Sequence, residues 1–249
     1  MEYLIDTHCH LHDPEWFTLE QQQDFLAQAV DTGVKEMICI GTNPEDSKVA
    51  REFAMAHKEV YWTYGIHPEF AGKFAPDKQI KNTEKLVAIG EIGLDYHYDG
   101  YDRTAQIRLL EQMLQLAIEL DLPVSLHIRE AFTDSFAVLD NFPSIRAVVH
   151  SFTGSKKCLK TALGRGFYIG VNGLATYTTT PLPPLENIVL ETDAPFLTPV
   201  PFRGTMNQPK YVRLVAEYLA GEMGVAEETI VEQTTKNARE LFHLRAAGA

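Results

Sequence analysis

Two histidines close to the N-terminus, His8 and His10, have the spacing of a pair of metal ligands. They follow the apolar run 3–5, and residues i and i+2 of a β-strand project to the same face. A strand here would direct both imidazoles at one point, which makes half of a metal site. The spacing alone is a weak signal in a chain with 9 histidines, so the prediction depends on the residues downstream.

Apolar, β-rich runs alternate with helical stretches along almost the whole chain. Eight strands are predicted, over residues 4–8, 36–40, 60–64, 86–89, 124–127, 147–150, 168–171 and 188–191. Helices are predicted over residues 19–31, 45–57, 103–120, 133–141, 155–165, 209–223 and 227–244. This alternation predicts an α/β fold, a (β/α)8 TIM barrel in which residues 1–249 form one domain, with an open doubly wound sheet as the alternative.

The seventh unit of this pattern is irregular. Three prolines and a run of threonines within residues 175–184 disfavour a helix after the seventh predicted strand. We therefore expect a loop in place of the seventh helix, and a distorted barrel as the result.

The positions of the polar residues favour the barrel over the open sheet. Six candidate ligands lie at or just after predicted strands: His8, His10, Glu91, His127, His150 and Asp193. Each alone has an ordinary explanation, such as a loop hydrogen bond or a helix cap. A closed barrel brings all six into one ring, where TIM barrels carry their chemistry, whereas an open sheet would spread them along an edge.

Six blocks of sequence, in the same order, resemble the TatD family of metal-dependent deoxyribonucleases, a branch of the amidohydrolase-like barrels. The blocks are DTHCH at 6–10, GIHP at 65–68, GEIGLDY at 90–96, LPVSLHIR at 122–129, HSFTGS at 150–155 and ETDAPFL at 191–197. The resemblance implies a distorted TIM barrel with two metals. One metal would be held by His8, His10, Glu91 and Asp193, and the other by Glu91, His127 and His150. The departures from the family pattern, among them Glu69, Phe202 and Gln208, affect the rim and no proposed ligand.

Two carboxylates have predicted catalytic roles. Glu91 has two oxygens and can bridge two divalent ions, which would clamp the attacking and leaving oxygens of a phosphodiester. Asp193 is predicted to bind metal and to take a proton from the attacking water, with a turn-forming aspartate as the alternative. Imidazole and carboxylate ligands suit zinc, manganese or nickel, and cellular abundance can favour magnesium.

Phosphate-binding candidates are His67, Arg129 and Arg203, for which a salt bridge or loop hydrogen bond is an equally open interpretation. An aromatic cluster, Tyr96, His97, Tyr98 and Tyr101, follows Glu91. It is expected to pack at the rim, and stacking on an unpaired base is the alternative.

The composition limits the choice of function. A formal net charge of −12 excludes a protein that coats nucleic acid through a broad basic face. Three cysteines without C-x-x-C spacing argue against a disulfide framework and against a cysteine zinc site. The sequence lacks a leader-like N-terminus and an apolar run near the roughly 18 residues of a membrane span. We expect a cytoplasmic monomer that needs no membrane and no obligate protein partner.

The expected function is the hydrolysis of phosphodiester bonds by a water activated at two metals. The resemblance implies a deoxyribonuclease that acts from a DNA end, a 3′-5′ exonuclease that prefers single strands. One alternative is a two-metal hydrolase of a small ester, amide, lactone or phosphoester, because the same metal barrel supports all of these reactions. A second alternative is a binding module whose metals only hold loops together. Six candidate ligands and a candidate base argue against it, because a purely structural site needs no open coordination position.

Overall fold

Eight parallel strands form a barrel in this computed structural model, which describes residues 3–77 and 79–244. Neighbouring strands pair in chain order. The strands are β1 (Leu4–Cys9), β2 (Val34–Cys39), β3 (Val60–Tyr64), β4 (Leu86–Asp95), β5 (Val124–Arg129), β6 (Ala147–Val149), β7 (Tyr168–Val171) and β8 (Ile188–Leu190). The predicted (β/α)8 TIM barrel is confirmed, while the expectation of one domain over residues 1–249 stays a prediction.

The barrel closes between β1 and β8 just beyond the end of β8. Cys9 and Ala194 form a parallel bridge, and the backbone N–H of His10 donates to the Ala194 carbonyl at 2.8 Å. The backbone N–H of Asp193 donates to the carbonyl of His8, also at 2.8 Å. The first and last strands are therefore neighbours, and the strand ends form a ring.

The α-helices of the described residues surround this barrel. They are α1 (Leu19–Asp31), α2 (Pro44–Ala56), α3 (Arg103–Leu120), α4 (Phe132–Leu139), α5 (Lys156–Gly164), α6 (Val212–Met223) and α7 (Glu227–Phe242). Short polar side chains begin four of them, because Thr18, Asn43, Asp102 and Ser155 accept backbone N–H groups of the first turn. None of these helices is long and apolar enough to cross a membrane.

The third and seventh units carry no α-helix within the described parts of the chain. A 3₁₀ turn, Pro68–Phe70, follows β3. Two 3₁₀ turns, Gly173–Thr176 and Leu185–Asn187, lie between β7 and β8. The predicted irregular seventh unit is confirmed.

Strand β4 is longer than predicted, so the prediction that it ends at residue 89 is wrong. It runs from Leu86 to Asp95 and carries Glu91 within it. Gly93, within this stretch, has a packing reason to be there. A Cβ on Gly93 would lie 1.8 Å from the carbonyl oxygen of His127, so only glycine allows β4 to lie this close to β5.

Candidate metal centre

The six predicted ligands meet at the C-terminal end of the barrel. Three lie within strands and three lie just beyond a strand, in chain order His8, His10, Glu91, His127, His150 and Asp193. All are buried except His127, which is partly exposed. The ligand atoms of His8, His10 and Glu91 lie within 4.8 Å of one another.

His8 directs a ring nitrogen at two carboxylates. Its Nε2 lies 3.5 Å from Oε2 of Glu91 and 3.6 Å from Oδ1 of Asp193. Within residues 3–77 and 79–244 this buried nitrogen has no hydrogen-bond partner, an arrangement that is costly unless something else binds it. Two ligands on one tetrahedral ion at about 2.1 Å are about 3.4 Å apart, so these spacings fit a divalent cation.

His10 completes this first group. Its Nε2 lies 3.5 Å from Oδ1 of Asp193, and its Nδ1 lies 3.2 Å from the carbonyl oxygen of Ile40. Nδ1 of His8 lies 3.5 Å from the hydroxyl of Ser125. A ligating histidine usually donates its other N–H to the protein, which fixes the ring and its tautomer. Both rings therefore present Nε2 to the carboxylates.

His150 lies beside Glu191, without hydrogen-bond geometry at its Nδ1. Nδ1 of His150 lies 3.1 Å from Oε1 of Glu191, and the same oxygen accepts the backbone N–H of Ser151 at 2.7 Å. Nε2 of His150 lies 3.8 Å from Glu91 and 3.7 Å from Asp193. Burial opposes a charge on His150, but Glu191 and Asp193 outweigh it and raise its pKa to about 10.

His127 has the opposite orientation. Its Nδ1 lies 2.7 Å from Oε1 of Glu91 and its Nε2 lies 3.0 Å from Oδ2 of Asp95. Both are hydrogen-bond distances, so this pair leaves less room for an ion than the first group does. Burial lowers the pKa of His127, but the bonds to Asp95 and Glu91 outweigh it and raise the pKa to about 9. The ring of His67 contacts that of His127 edge-on at 4.5 Å.

Asp95 and Glu191 are the two site residues that the sequence reasoning missed. Asp95 lies at the end of β4, in register with Arg129 of β5, and the strand was predicted to end before it. Glu191 lies directly after β8 and two residues before Asp193. This i, i+2 spacing of two carboxylates after a strand is the signal that could have identified Glu191.

Both predicted catalytic carboxylates favour their ionised form. Burial opposes the charge on Glu91, but His127, His150 and His8 outweigh it and hold its pKa well below the ordinary value. Burial opposes the charge on Asp193 as well, and the neighbouring His150, His10 and His8 hold its pKa low. Burial and the charge of His150 lower the pKa of His8. The centre thus combines ionised carboxylates with imidazole nitrogens, the donor set that divalent transition metals prefer.

The centre opens into a cleft of about 880 Å³, a size typical of ligand sites. Two of the predicted phosphate-binding residues, His67 and Arg129, line this cleft. The guanidinium carbon of Arg129 lies 5.2 Å from the ring centre of Tyr98, which also lines the cleft. Nδ1 of His67 accepts the backbone N–H of Glu69 at 3.3 Å.

Arg203 and part of the aromatic cluster pack elsewhere. The structure does not bring Arg203 into the cleft lining, and its guanidinium stacks on Tyr177 at 4.3 Å. Tyr96 stacks on Tyr101 at 4.5 Å and donates its hydroxyl to Asp134 at 2.8 Å. These two tyrosines pack against protein groups, and neither lines the cleft.

A (β/α)8 barrel with imidazole and carboxylate groups converging at its strand ends defines a class, the metal-dependent hydrolases of the TIM-barrel type. Residues 5–243 match the family model described as TatD related DNase. The chain belongs to this TatD-related family.

Relatives and a solved structure agree with this assignment. The chain is 33% identical to the uncharacterized metal-dependent hydrolase YcfH of Escherichia coli K12, over 98% of this chain and 97% of that protein. It is 33% identical to the 3'-5' ssDNA/RNA exonuclease TatD of Pantoea ananatis, over 90% of this chain and 94% of that protein. The crystal structure of YJJV, a TatD homologue from Escherichia coli K12, matches with a TM-score of 0.87 and 28% identity, over 97% of this chain and 98% of that chain.

Proposed function

We propose that this protein hydrolyses phosphodiester bonds of single-stranded DNA from the 3′ end. The observation that carries the proposal is the unpartnered Nε2 of His8 within the described residues, which faces Glu91 and Asp193 at spacings that fit an ion. The name of the Pantoea relative, an exonuclease on single-stranded nucleic acid, supports the choice of substrate. We expect it to act as a monomer in the cytoplasm.

Two divalent cations are the proposed cofactors, with zinc, manganese, magnesium and nickel as candidates. The first would be held by His8, His10, Glu91 and Asp193, and the second by Glu91, His127 and His150. For the second, the 2.7 Å hydrogen bond between His127 and Glu91 has to open. Bound cations supply Lewis acidity, which lowers the pKa of water and stabilises charge on the phosphoryl oxygens.

Asp193 is the proposed general base. Its Oδ1 lies 3.6 Å from His8 and 3.5 Å from His10, so the carboxylate stands among the ligands. Its low pKa keeps it ionised and able to accept a proton from the attacking water. As the water oxygen bonds to phosphorus, the bond from phosphorus to the 3′ oxygen of the penultimate nucleotide breaks. That oxygen takes a proton from solvent, and a 5′-mononucleotide leaves.

Arg129 and His67 are the proposed phosphate-binding residues. Both line the cleft, and Nη1 of Arg129 donates to the hydroxyl of Tyr98 at 3.4 Å. A phosphate oxygen is a stronger acceptor for a guanidinium than a neutral hydroxyl is, so a bound phosphate would compete well for this donor. Arg203, which stacks on Tyr177 outside the cleft lining, is the weaker candidate.

The test uses protein stripped of metal and reloaded separately with Mg²⁺, Mn²⁺ and Zn²⁺. Single-stranded DNA labelled at either end is the substrate, and Glu91→Gln is the control. Metal-dependent release of the 3′-terminal nucleotide that disappears in the variant supports the proposal. No cleavage with any of the three metals, although they bind, contradicts it.

A second candidate, the hydrolysis of a small ester, amide, lactone or phosphoester, is favoured by the charge of the cleft. Five carboxylates outside the metal centre line it, of which Asp46 is paired with His12: Asp13, Glu15, Glu45, Asp46 and Glu69. Such a lining repels a polyanion and tolerates a small neutral substrate. Saturable turnover of a small ester by the reloaded protein, without cleavage of DNA, would favour this candidate.

A further inference from the structure

Two aromatic side chains form one wall of the cleft. Trp16 follows β1 and is 46% exposed, and Phe196 follows β8 and is 40% exposed. Their rings meet edge to face, with centroids 5.0 Å apart and planes 79° apart. A single exposed aromatic residue is ordinary, but two in contact beside a catalytic centre offer a ligand an apolar surface.

The backbone fixes this aromatic wall relative to the metal centre. The N–H of Phe196 donates to the carbonyl oxygen of Asp193 at 2.8 Å. The side-chain amide of Asn207 donates to the carbonyl oxygen of Phe196 at 2.6 Å. The Phe196 ring lies 6.2 Å from the ring of His10. The backbone of Phe196 is therefore fixed next to the proposed base, which lowers the cost of ordering this part of the wall when a ligand binds.

The opposite wall of the cleft carries the positive charge. Arg129 ends β5 and Tyr98 follows β4, and these strands lie four places from β1 and β8 in the eight-stranded order. In a closed barrel of eight strands, four places is the far side. Among the described residues that line the cleft, Arg129 is the only arginine or lysine.

Carboxylates flank the aromatic wall. Asp13 and Glu15 line the cleft and belong to the same turn as Trp16, whose backbone N–H donates to the Asp13 carbonyl at 3.3 Å. A phosphate is repelled on this side and attracted towards Arg129, whereas a nucleobase is uncharged at neutral pH. The two walls therefore suit different parts of one nucleotide.

We propose that the terminal base of the substrate stacks on the ring of Trp16 and meets the ring of Phe196 edge-on, while the adjoining phosphates lie towards Arg129. The proposal rests on the nuclease function and deepens it, because it assigns base and chain to opposite walls. A paired terminal base is held against its partner strand and exposes one face, whereas an unpaired terminal base can turn freely onto an aromatic ring, so this wall favours an unpaired end.

The test compares two single-stranded oligonucleotides that differ only in the 3′-terminal nucleotide, which is thymidine in one and an abasic analogue in the other. For Trp16→Ala we expect kcat/KM to fall roughly 5- to 100-fold with the thymidine end and less than about twofold with the abasic end. Trp16→Phe retains an aromatic face and should keep most of the activity. Ile118→Ala, which removes an exposed apolar side chain on α3, is the matched control and should change neither rate. An equal loss on both oligonucleotides overturns the proposal.

A binding measurement separates this proposal from the nuclease function. The sequence has 2 tryptophans, of which Trp16 is exposed and Trp62 is buried, so a ligand on the aromatic wall should quench Trp16 fluorescence. Metal-free protein is titrated with the same two oligonucleotides. Base-dependent quenching without hydrolysis under any metal overturns the nuclease function and supports the base site. Hydrolysis of both oligonucleotides at equal rates, without base-dependent quenching, overturns the base site and leaves the nuclease function in place.

Discussion

Each imidazole of the candidate metal centre has one nitrogen that faces a protein oxygen and one directed at Glu91 or Asp193. The facing group is a hydroxyl for His8, a backbone carbonyl for His10 and a carboxylate for the other two. Such contacts orient a ligand before the ion arrives and increase its basicity. At the scale of the residue, affinity for metal therefore depends on side chains that never touch the ion.

Replacement of Asp193 by asparagine tests the proposed base. The residue has a φ of 58°, a left-handed conformation that asparagine tolerates better than most residues, so the fold should persist. We expect kcat to fall at least about 100-fold, because positioned general bases contribute roughly 10²- to 10⁴-fold. Steady-state kinetics on labelled single-stranded DNA and the thermal midpoint are the measurements. Turnover near that of the wild type would remove Asp193 from this role.

Replacement of Glu191 by glutamine tests how His150 is positioned. The carboxylate lies 3.1 Å from Nδ1 of His150, and the loss of its charge should weaken metal binding roughly 10- to 100-fold. Competition with a chelator of known affinity measures the change without reference to activity. Glu186→Gln, at an exposed position before β8, is the matched control. Unchanged affinity in Glu191→Gln would mean that packing alone orients His150.

At the scale of the element, a buried ion pair ties the segment after β1 to the start of α2. Nε2 of His12 lies 3.0 Å from Oδ1 of Asp46, and Oδ2 of Asp46 accepts the backbone N–H of Thr42 at 2.7 Å. Burial lowers the pKa of His12, but Asp46 and the adjacent Cys39 outweigh it and raise the pKa to about 10. Burial raises the pKa of Asp46, but His12 outweighs it and lowers the pKa to about 2.

This pair predicts a pH dependence of stability. The pKa of His12 is higher in the folded state, so its contribution is complete below pH 6.5 and lost as the pH rises through about 10. The pKa of Asp46 is lower in the folded state, so its contribution is complete above pH 3.8 and lost as the pH falls through about 2. In metal-free protein, His12→Gln should flatten the decline in unfolding free energy between pH 6.5 and 10. Urea unfolding of both proteins at pH 6 and 9.5 is the measurement, and parallel declines would contradict it.

The order of strands and helices could be predicted because each buried parallel strand is a continuous apolar run with a polar end. For the same reason the six candidate ligands could be located from the sequence alone. The length of β4 could not, since Gly90 and Gly93 resemble a strand end and only contact with His127 explains the second of them.

The orientation of the imidazole rings could not be predicted from the sequence either. His127 turns Nδ1 towards Glu91 because Asp95, at the end of a neighbouring strand, occupies the other nitrogen. This contact joins residues 32 positions apart and depends on the register of β4 with β5. Periodicity along one strand holds no information on register with the next strand.

At the scale of the whole molecule, closure of the barrel and assembly of the metal centre are one event. The backbone bonds that join β1 to the segment after β8 belong to His8, His10 and Asp193, which are themselves predicted ligands. An ion bound there would hold together the first and last strands of the chain. We therefore expect metal binding to stabilise the folded chain, as in other sites assembled from distant segments.

The charge of the whole molecule predicts how salt would affect the proposed nuclease reaction. The net charge is −12 and Arg129 is the one arginine or lysine in the described lining of the cleft, so cationic side chains neutralise about one phosphate besides the one at the metals. At a slope of about −0.7 per phosphate, Arg129 contributes less than about a threefold rise in KM for single-stranded DNA between 50 and 200 mM NaCl. Arg129→Ala should reduce the salt dependence by this factor, because no counterion is then released at that position. A rise in KM of tenfold or more would reveal a basic track outside the cleft, and the strand would then be held along the protein surface as well as at its end.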